Sequence, residues 1–582
     1  MILLLISSCK QSTMQYPETR KENAQDVYFG TTVHDPYRWL EDDNAEETEK
    51  WVKRQNEFTN QWFKQINYRD KIKNRLSELL NYKRETIVKI YKQGLIISKN
   101  SGLQAQDELW FRDFGTNQEK LLLNPNTLSE DGTTSVRAYA LSSNARYFAY
   151  ALSRAGSDWQ EISVLDIEKG QKLAETIKWV KFSTISWHND GFYYSAYDSV
   201  SQSDMYKGTN QYQKIFYHKV GTTQKNDKLV YYNNTRPDLM YYAEVTEDEK
   251  YLIVYERKWD SDGYSLYLKN LENQKDWVRL TKDYEYEYFV VGNTENYLYV
   301  LTNLNAPNYK LSRINLNSLE IGNWDEILPQ KKEILENIYI CGYKVVAKYL
   351  KDANNTLEVY QLDGTLENIV QLPGQGTVAN FNGLGENKEA YFTFSNYVTP
   401  ASQFKFNVDS ASIAQMFEPK LKFSFDDYIQ EQFFYQSKDG TKVPITIVRS
   451  ANMEKNSQSP CMLYGYGGFN ISITPEFDPE LLVWLENGGI YAHANIRGGG
   501  EYGKNWHEDG TLLKNKMYLN DFIAAAEYLI AEKYTSSKKL AIMGASNGGL
   551  LIGAVVNQRP ELFQWHCPKW GSWICCAFIN SP

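Results

Sequence analysis

The chain has 582 residues, 42% hydrophobic and 23% charged, with a formal net charge of −9. That length exceeds what one hydrophobic core supports, so two or more domains are expected, of ordinary globular composition. The negative balance, without any block of basic residues, argues against nucleic acid as the main partner, and no apolar run reaches the length of a membrane span.

The chain opens on Met1-Ile2-Leu3-Leu4-Leu5-Ile6-Ser7-Ser8-Cys9-Lys10. A short apolar run ending in small residues before a cysteine resembles the end of a bacterial lipoprotein signal without its basic leader. Residues 1–14 are read as a signal remnant with a lipid anchor on Cys9 and a periplasmic or envelope location, the alternative being a cytoplasmic protein. The other cysteines, Cys341, Cys461, Cys567, Cys575 and Cys576, show neither a disulfide framework nor metal-ligand spacing, so no metal or cofactor is expected.

Residues 15–83 are polar and helix-prone. Trp51, Phe58, Trp62 and Phe63 recur at about helical spacing, which predicts two or three amphipathic helices packing on another domain.

From residue 84 short aromatic and β-branched strands take over. Comparable strands begin at Leu95, Tyr147, Phe192, Tyr251, Tyr297, Val345 and Tyr391. Their spacing of roughly 45 to 60 residues suits one four-stranded blade each. Seven copies predict a seven-bladed β-propeller over 84–430. Tyrosine, at 44 residues against 25 phenylalanines, fits half-exposed antiparallel strands.

After the turn at Ser437–Pro444, strands alternate with helices. Ile445–Val448, Cys461–Leu463, Ile490–Ala494 and Leu540–Met543 read as buried strands, and Lys516–Tyr534 as an amphipathic helix with Phe522, Ala525 and Leu529 on one face. This alternation implies a mostly parallel sheet, here the N-terminal part of an α/β-hydrolase domain over 431–563.

Gly544-Ala545-Ser546-Asn547-Gly548 follows the last of these strands, and Leu550–Val556 reads as the start of a helix. Strand, Gly-x-Ser-x-Gly and helix is the setting of a nucleophile elbow. Ser546 is the candidate nucleophile. Such a serine needs a base, an acid and oxyanion donors. The Asn547 backbone N–H is one donor. The loop Tyr464-Gly465-Tyr466-Gly467-Gly468-Phe469-Asn470 is placed to supply a second, with Tyr466 as a phenolic donor.

Three stretches, YGYGGFNISITP (464–475), NIRGGGEYGKNWHEDG (495–510) and GASNGGLLIGAVVNQRPELF (544–563), together with HDPYRWLED (34–42) and GSDW (156–159), resemble the prolyl oligopeptidase family of serine peptidases. The resemblance implies a propeller capping an α/β-hydrolase domain, with the N-terminal helices on the hydrolase side. It also implies cleavage after proline in short peptides, with the propeller excluding folded proteins. Short proline-containing peptides are the expected partners, and a monomer is the expected state. Carried over by motif, Ser546 is the nucleophile, Tyr466 and the Asn547 N–H form the oxyanion hole, and Phe469 lines the substrate pocket.

The pattern breaks after Phe563. An α/β-hydrolase places acid and base after the nucleophile, yet only 36 residues follow Ser546. Of the histidines, His34, His188, His218, His493 and His507 precede it, and His566 follows too soon. The tail, residues 564–582, crowds Trp565, Trp570 and Trp573 with Cys567, Cys575 and Cys576, without strand or helix period. A frameshift after Phe563 would explain this: one choice of codons there, read in the shifted frame, continues in a form resembling the family. The elbow strand is then expected to keep an unpaired edge, and the chain to be inactive and poorly folded in its last domain. The competing readings are a non-catalytic propeller that binds peptides and a related serine peptidase of different specificity.

Overall fold

The computed structural model describes residues 15–42, 44–199, 208–273, 276–511, 514 and 516–571. Cys9 and residues 572–582 therefore lie outside the described residues. The chain divides into two compact units, 1–78 and 79–582.

In the first unit the hairpin Gln25–Tyr28 and Thr31–His34 precedes the helix Glu46–Phe63. Arg38, from the HDPYRWLED stretch, ties the hairpin to its following turn through Asp26 and through Asp35 at 3.2 Å. Trp51 Nε1 donates to Thr19 Oγ1 at 2.9 Å.

In the second unit, all-antiparallel sheets occupy residues 84–417. Among the described residues, five are four-stranded, starting at Arg84, Leu239, Tyr288, Ile334 and Thr377. The sixth has eight strands and runs from Thr134 to Tyr231. This corrects the expectation of seven separate blades: five blades and one continuous sheet stand there instead. The reason is local. Strand Gln171–Val180 reaches strand Gly191–Ala196 and pairs Val180 with Ala196, so two groups of strands that the sequence period separates share one hydrogen-bonded ladder.

Burial explains the aromatic, β-branched sequences of the sheets. Second strands such as Gly191–Ala196 and Tyr297–Thr302 are almost wholly buried because neighbouring sheets cover both faces. Outer strands such as Leu366–Ile369 and Val278–Arg279 are largely exposed. Apolar clusters bridge successive sheets. The last sheet meets the first without sharing a strand: Ile87, Ile90, Leu95 and Ile97 pack on Tyr391, and Ile87 N donates to Gln403 Oε1 at 2.8 Å.

The final sheet has six strands, in the order Tyr428–Gln436, Lys442–Ser450, Ile490–Ala494, Cys461–Tyr464, Leu540–Ser546, Trp565–Gly571. The first two neighbouring pairs are antiparallel, and every pair from Ile490–Ala494 onward is parallel. Helix Lys516–Ala531 covers it with Phe522, Ala525 and Leu529, all fully buried. Helix Asn547–Gln558 adds Leu551, Ile552 and Val555.

The tail departs from expectation. Trp565–Gly571 pairs in parallel with the elbow strand, from Ala541↔Trp565 to Ser546↔Gly571. The elbow strand's edge is therefore occupied along this length. A strand edge offers backbone N–H and C=O groups to any extended segment, whatever its side-chain pattern, which is why a stretch without strand periodicity pairs here.

The sheets and the hydrolase region are tied by polar contacts. Tyr397 Oη lies 2.7 Å from His493 Nδ1, Tyr502 Oη donates to Asp352 Oδ1 at 2.8 Å, and Thr377 Oγ1 donates to the Pro475 carbonyl at 2.7 Å.

Candidate active site

Ser546 ends the strand Leu540–Ser546 and precedes the helix Asn547–Gln558, with φ 53° and ψ −115°. A non-glycine residue there carries backbone strain, of order 1–3 kcal/mol, that the surroundings must hold. The flanking glycine makes the turn feasible: a Cβ on Gly544 would sit 2.3 Å from the Gly548 carbonyl oxygen. Asn547 opens the helix, where backbone N–H groups have no intrahelical acceptor. Its N–H is thus free of the helix ladder at the residue after the serine.

The Asn547 side chain does something the motif did not disclose. Its Nδ2 donates to the carbonyls of Tyr466 and Gly467, each at 3.0 Å. It clamps the Gly-rich loop to the elbow. Gly468 must lack a side chain for this, since a Cβ there would fall 2.4 Å from Asn547 Nδ2. Tyr466 is thereby fixed by its backbone beside the serine's strand. Phe469 is 72% exposed, with φ 55°, and projects from this loop.

Behind the loop stands a buried charge cluster from NIRGGGEYG. Arg497 Nε and Nη2 fork onto Asp521 at 2.9 and 2.6 Å, while Nη1 reaches Asp439 at 2.6 Å. The Arg497 backbone N–H also donates to Asp521, at 3.1 Å. The guanidinium's hydrogen bonds hold the Asp439 carboxyl well below the usual carboxylate range. Glu501, 3% exposed, accepts from Ile473 N at 3.0 Å and from Asn495 Nδ2 at 3.1 Å through Oε1. Its Oε2 is buried without a partner, and burial pushes the carboxyl up to about 7. The sequence placed Arg497 and Glu501 in a motif without giving either a role. The signal was present: charged residues inside an apolar, Gly-rich stretch that must be buried are there to be paired or neutralised.

Four histidines of the second unit have surroundings of their own. His493 is buried, faces Tyr397, and is pushed by burial down to about 3. His507 Nδ1 lies 3.0 Å from Asn470 N and 2.7 Å from the Gly498 carbonyl. His218 Nδ1 is 2.7 Å from Asp227, inside the eight-stranded sheet. His566 is exposed on the last strand, opposite Ile542. Among the described residues, no histidine hydrogen-bonds Ser546.

A cavity of about 1440 Å³ lies between the antiparallel sheets and the hydrolase region. Its hydrolase wall includes Gly467, Phe469, His507, Asn547 and Leu550. Phe469 and Asn547 are therefore brought to one cavity; Ser546 and Tyr466, each half-buried, adjoin these two residues in the chain without lining it themselves.

A strained serine on a strand-to-helix turn, faced by a Gly-rich loop on a mostly parallel sheet, defines an α/β-hydrolase type of site. The profile described as "Prolyl oligopeptidase, N-terminal beta-propeller domain" matches residues 16–418, and "Prolyl oligopeptidase family" matches residues 475–572. The chain is 40% identical over 560 residues to the prolyl endopeptidase of Elizabethkingia meningoseptica, covering 96% of this chain and 79% of that protein. It is 33% identical over 604 residues to prolyl oligopeptidase A of Amanita bisporigera, again covering 96% and 79%. A solved prolyl endopeptidase superposes with TM-score 0.87 at 34% identity, covering 94% of this chain and 81% of that one. Prolyl oligopeptidase B of Galerina marginata, bound to a 35mer hydrolysis and macrocyclization substrate, superposes with TM-score 0.87 at 30% identity, covering 96% and 82%. The chain belongs to the prolyl oligopeptidase family of serine peptidases.

Proposed function

We propose that the cavity binds short proline-containing peptides and that Ser546 is the residue built to attack them. The carrying observation is the serine's strained +53°/−115° backbone at the strand-to-helix turn. In this reading Ser546 Oγ attacks the carbonyl carbon on the C-terminal side of proline and forms an acyl-enzyme, with release of the amine. The Asn547 N–H and the Tyr466 hydroxyl stabilise the oxyanion, and Phe469 packs on the substrate. The relatives' names, prolyl endopeptidase and prolyl oligopeptidase, support the specificity.

Attack needs a base on Ser546, and no described histidine bonds to it. A polypeptide of these 582 residues is expected to bind proline peptides while turning over a Gly-Pro fluorogenic peptide at least about a thousandfold more slowly than a full-length relative. Turnover equal to the relative's would refute that expectation. Failure of a proline peptide to bind would refute the substrate assignment. We also propose that Cys9 carries a lipid that holds the protein at a bacterial envelope. C9S should move the protein from the membrane fraction to the wash; an unchanged distribution would reject the anchor.

A further inference from the structure

The wall of the cavity opposite the elbow is uneven in charge. Among the described residues, Glu244, Asp262, Glu285, Glu287 and Glu336 line it, against Arg257 there and Lys504 on the hydrolase side as the lining lysine and arginine. Glu336 has Lys348 at 3.3 Å. The other four have no cation within ion-pair distance among the described residues. Glu244 accepts from Tyr255 Oη at 3.1 Å, and Glu287 accepts from the Tyr309 hydroxyl. Neutral donors of this kind orient a carboxylate without cancelling its charge. Aromatic rings stand between the acids: Tyr242, Tyr264 and Phe289 line the same wall. Carboxylates interleaved with ring faces are the chemistry that recognises an ammonium or guanidinium group.

We propose that this wall selects peptides carrying a lysine or arginine side chain in the segment lying across it. The inference rests on the reading of the cavity as the peptide site. It draws on the concave shape of the cavity as well as the charges: low-dielectric walls focus the field of these carboxylates into the space between them. A solved relative of this fold is bound to a 35mer hydrolysis and macrocyclization substrate, so a polypeptide is the ligand class to consider. Burial already pushes the Glu244 and Glu287 carboxyls upward. A cation arriving beside them favours their ionised form and gains the attraction.

Fluorescence anisotropy with the whole 582-residue chain tests this. Labelled octapeptides matched in length, with net charge +2, 0 or −2, are each made with proline or with alanine at the central position. The cationic peptides should bind about tenfold more tightly than the neutral ones at low salt, and the acidic ones more weakly, with the gap shrinking as salt screens it. E244Q and, separately, D262N/E285Q should each reduce the gap severalfold. The control E130Q, on an exposed turn just before the eight-stranded sheet, should leave it intact. Equal affinity across the three charges overturns the inference, as does a gap that E130Q lowers as much as the cavity variants do. A charge preference seen equally with proline and alanine peptides supports the inference while failing the proline reading. If E244Q does not fold, D262N/E285Q decides, since both its positions are exposed to the cavity.

Discussion

Glu501 gives the sharpest test of the site's construction. Its Oε1 accepts two hydrogen bonds that hold Ile473 and Asn495, and its Oε2 is buried and unpartnered. Burial moves its titration from an ordinary 4.5 to about 7. Between those values the folded chain keeps a proton that the unfolded chain releases, so this group makes stability fall as pH rises. The cost works out at about 1 kcal/mol at pH 5 and about 3 kcal/mol at pH 8. E501Q copies the neutral acid and retains an acceptor for both donors. The stability of E501Q relative to the parent should therefore grow by about 2 kcal/mol from pH 5 to pH 8. Urea unfolding followed by tryptophan fluorescence at both pH values measures it, and exchange of the Ile473 amide locates it. A difference between the two proteins that stays constant across that range would refute the reasoning, because it would mean that Glu501 titrates alike in both states.

Three further changes probe the same region. R497L should cost about 3–5 kcal/mol in unfolding experiments, because it leaves the fully buried Asp521 without its counter-charge. Asp439 titrates well below its usual range in the fold, so the stability it gains from Arg497 is complete above about pH 5 and is lost as pH falls through the carboxylate range. R497L should therefore show a flatter acid limb. N547A should cost about 1–3 kcal/mol by leaving the Tyr466 and Gly467 carbonyls unmet; hydrogen exchange through residues 464–470 should quicken, and unchanged protection there would count against the clamp. F469A should leave stability within about 0.5 kcal/mol, since the ring is largely exposed, yet weaken binding of a neutral proline peptide; equal affinity would remove Phe469 from the substrate wall.

The elbow was legible because its requirements are local. An apolar strand, a small-residue turn and a helix follow one another within twenty residues, and the strained Ser546 sits where they meet. The buried strands of the hydrolase sheet were legible for the same reason, as were Phe522, Ala525 and Leu529 on one helix face. What depended on distant partners was not. The Asn547 amide acts on carbonyls about eighty residues earlier, and nothing in Gly-x-Ser-x-Gly specifies that. The period of the β region located strands, but one backbone pair, Val180 with Ala196, decided where a sheet ended. The tail's side chains carried no strand signal because the elbow strand's backbone, and not their alternation, recruits them.

The seam between the first and last antiparallel sheets has a consequence for biosynthesis. Ile87 and Gln403, which meet there, are 316 residues apart in the chain. At about 5–20 residues per second, roughly 15 to 60 seconds pass between their emergence from the ribosome. Through that interval the apolar face of Ile87, Ile90, Leu95 and Ile97 waits for Tyr391. The nascent chain thus carries an adhesive surface for about half of its own synthesis, and the yield of closed molecules depends on how well that surface is shielded until the last blade arrives.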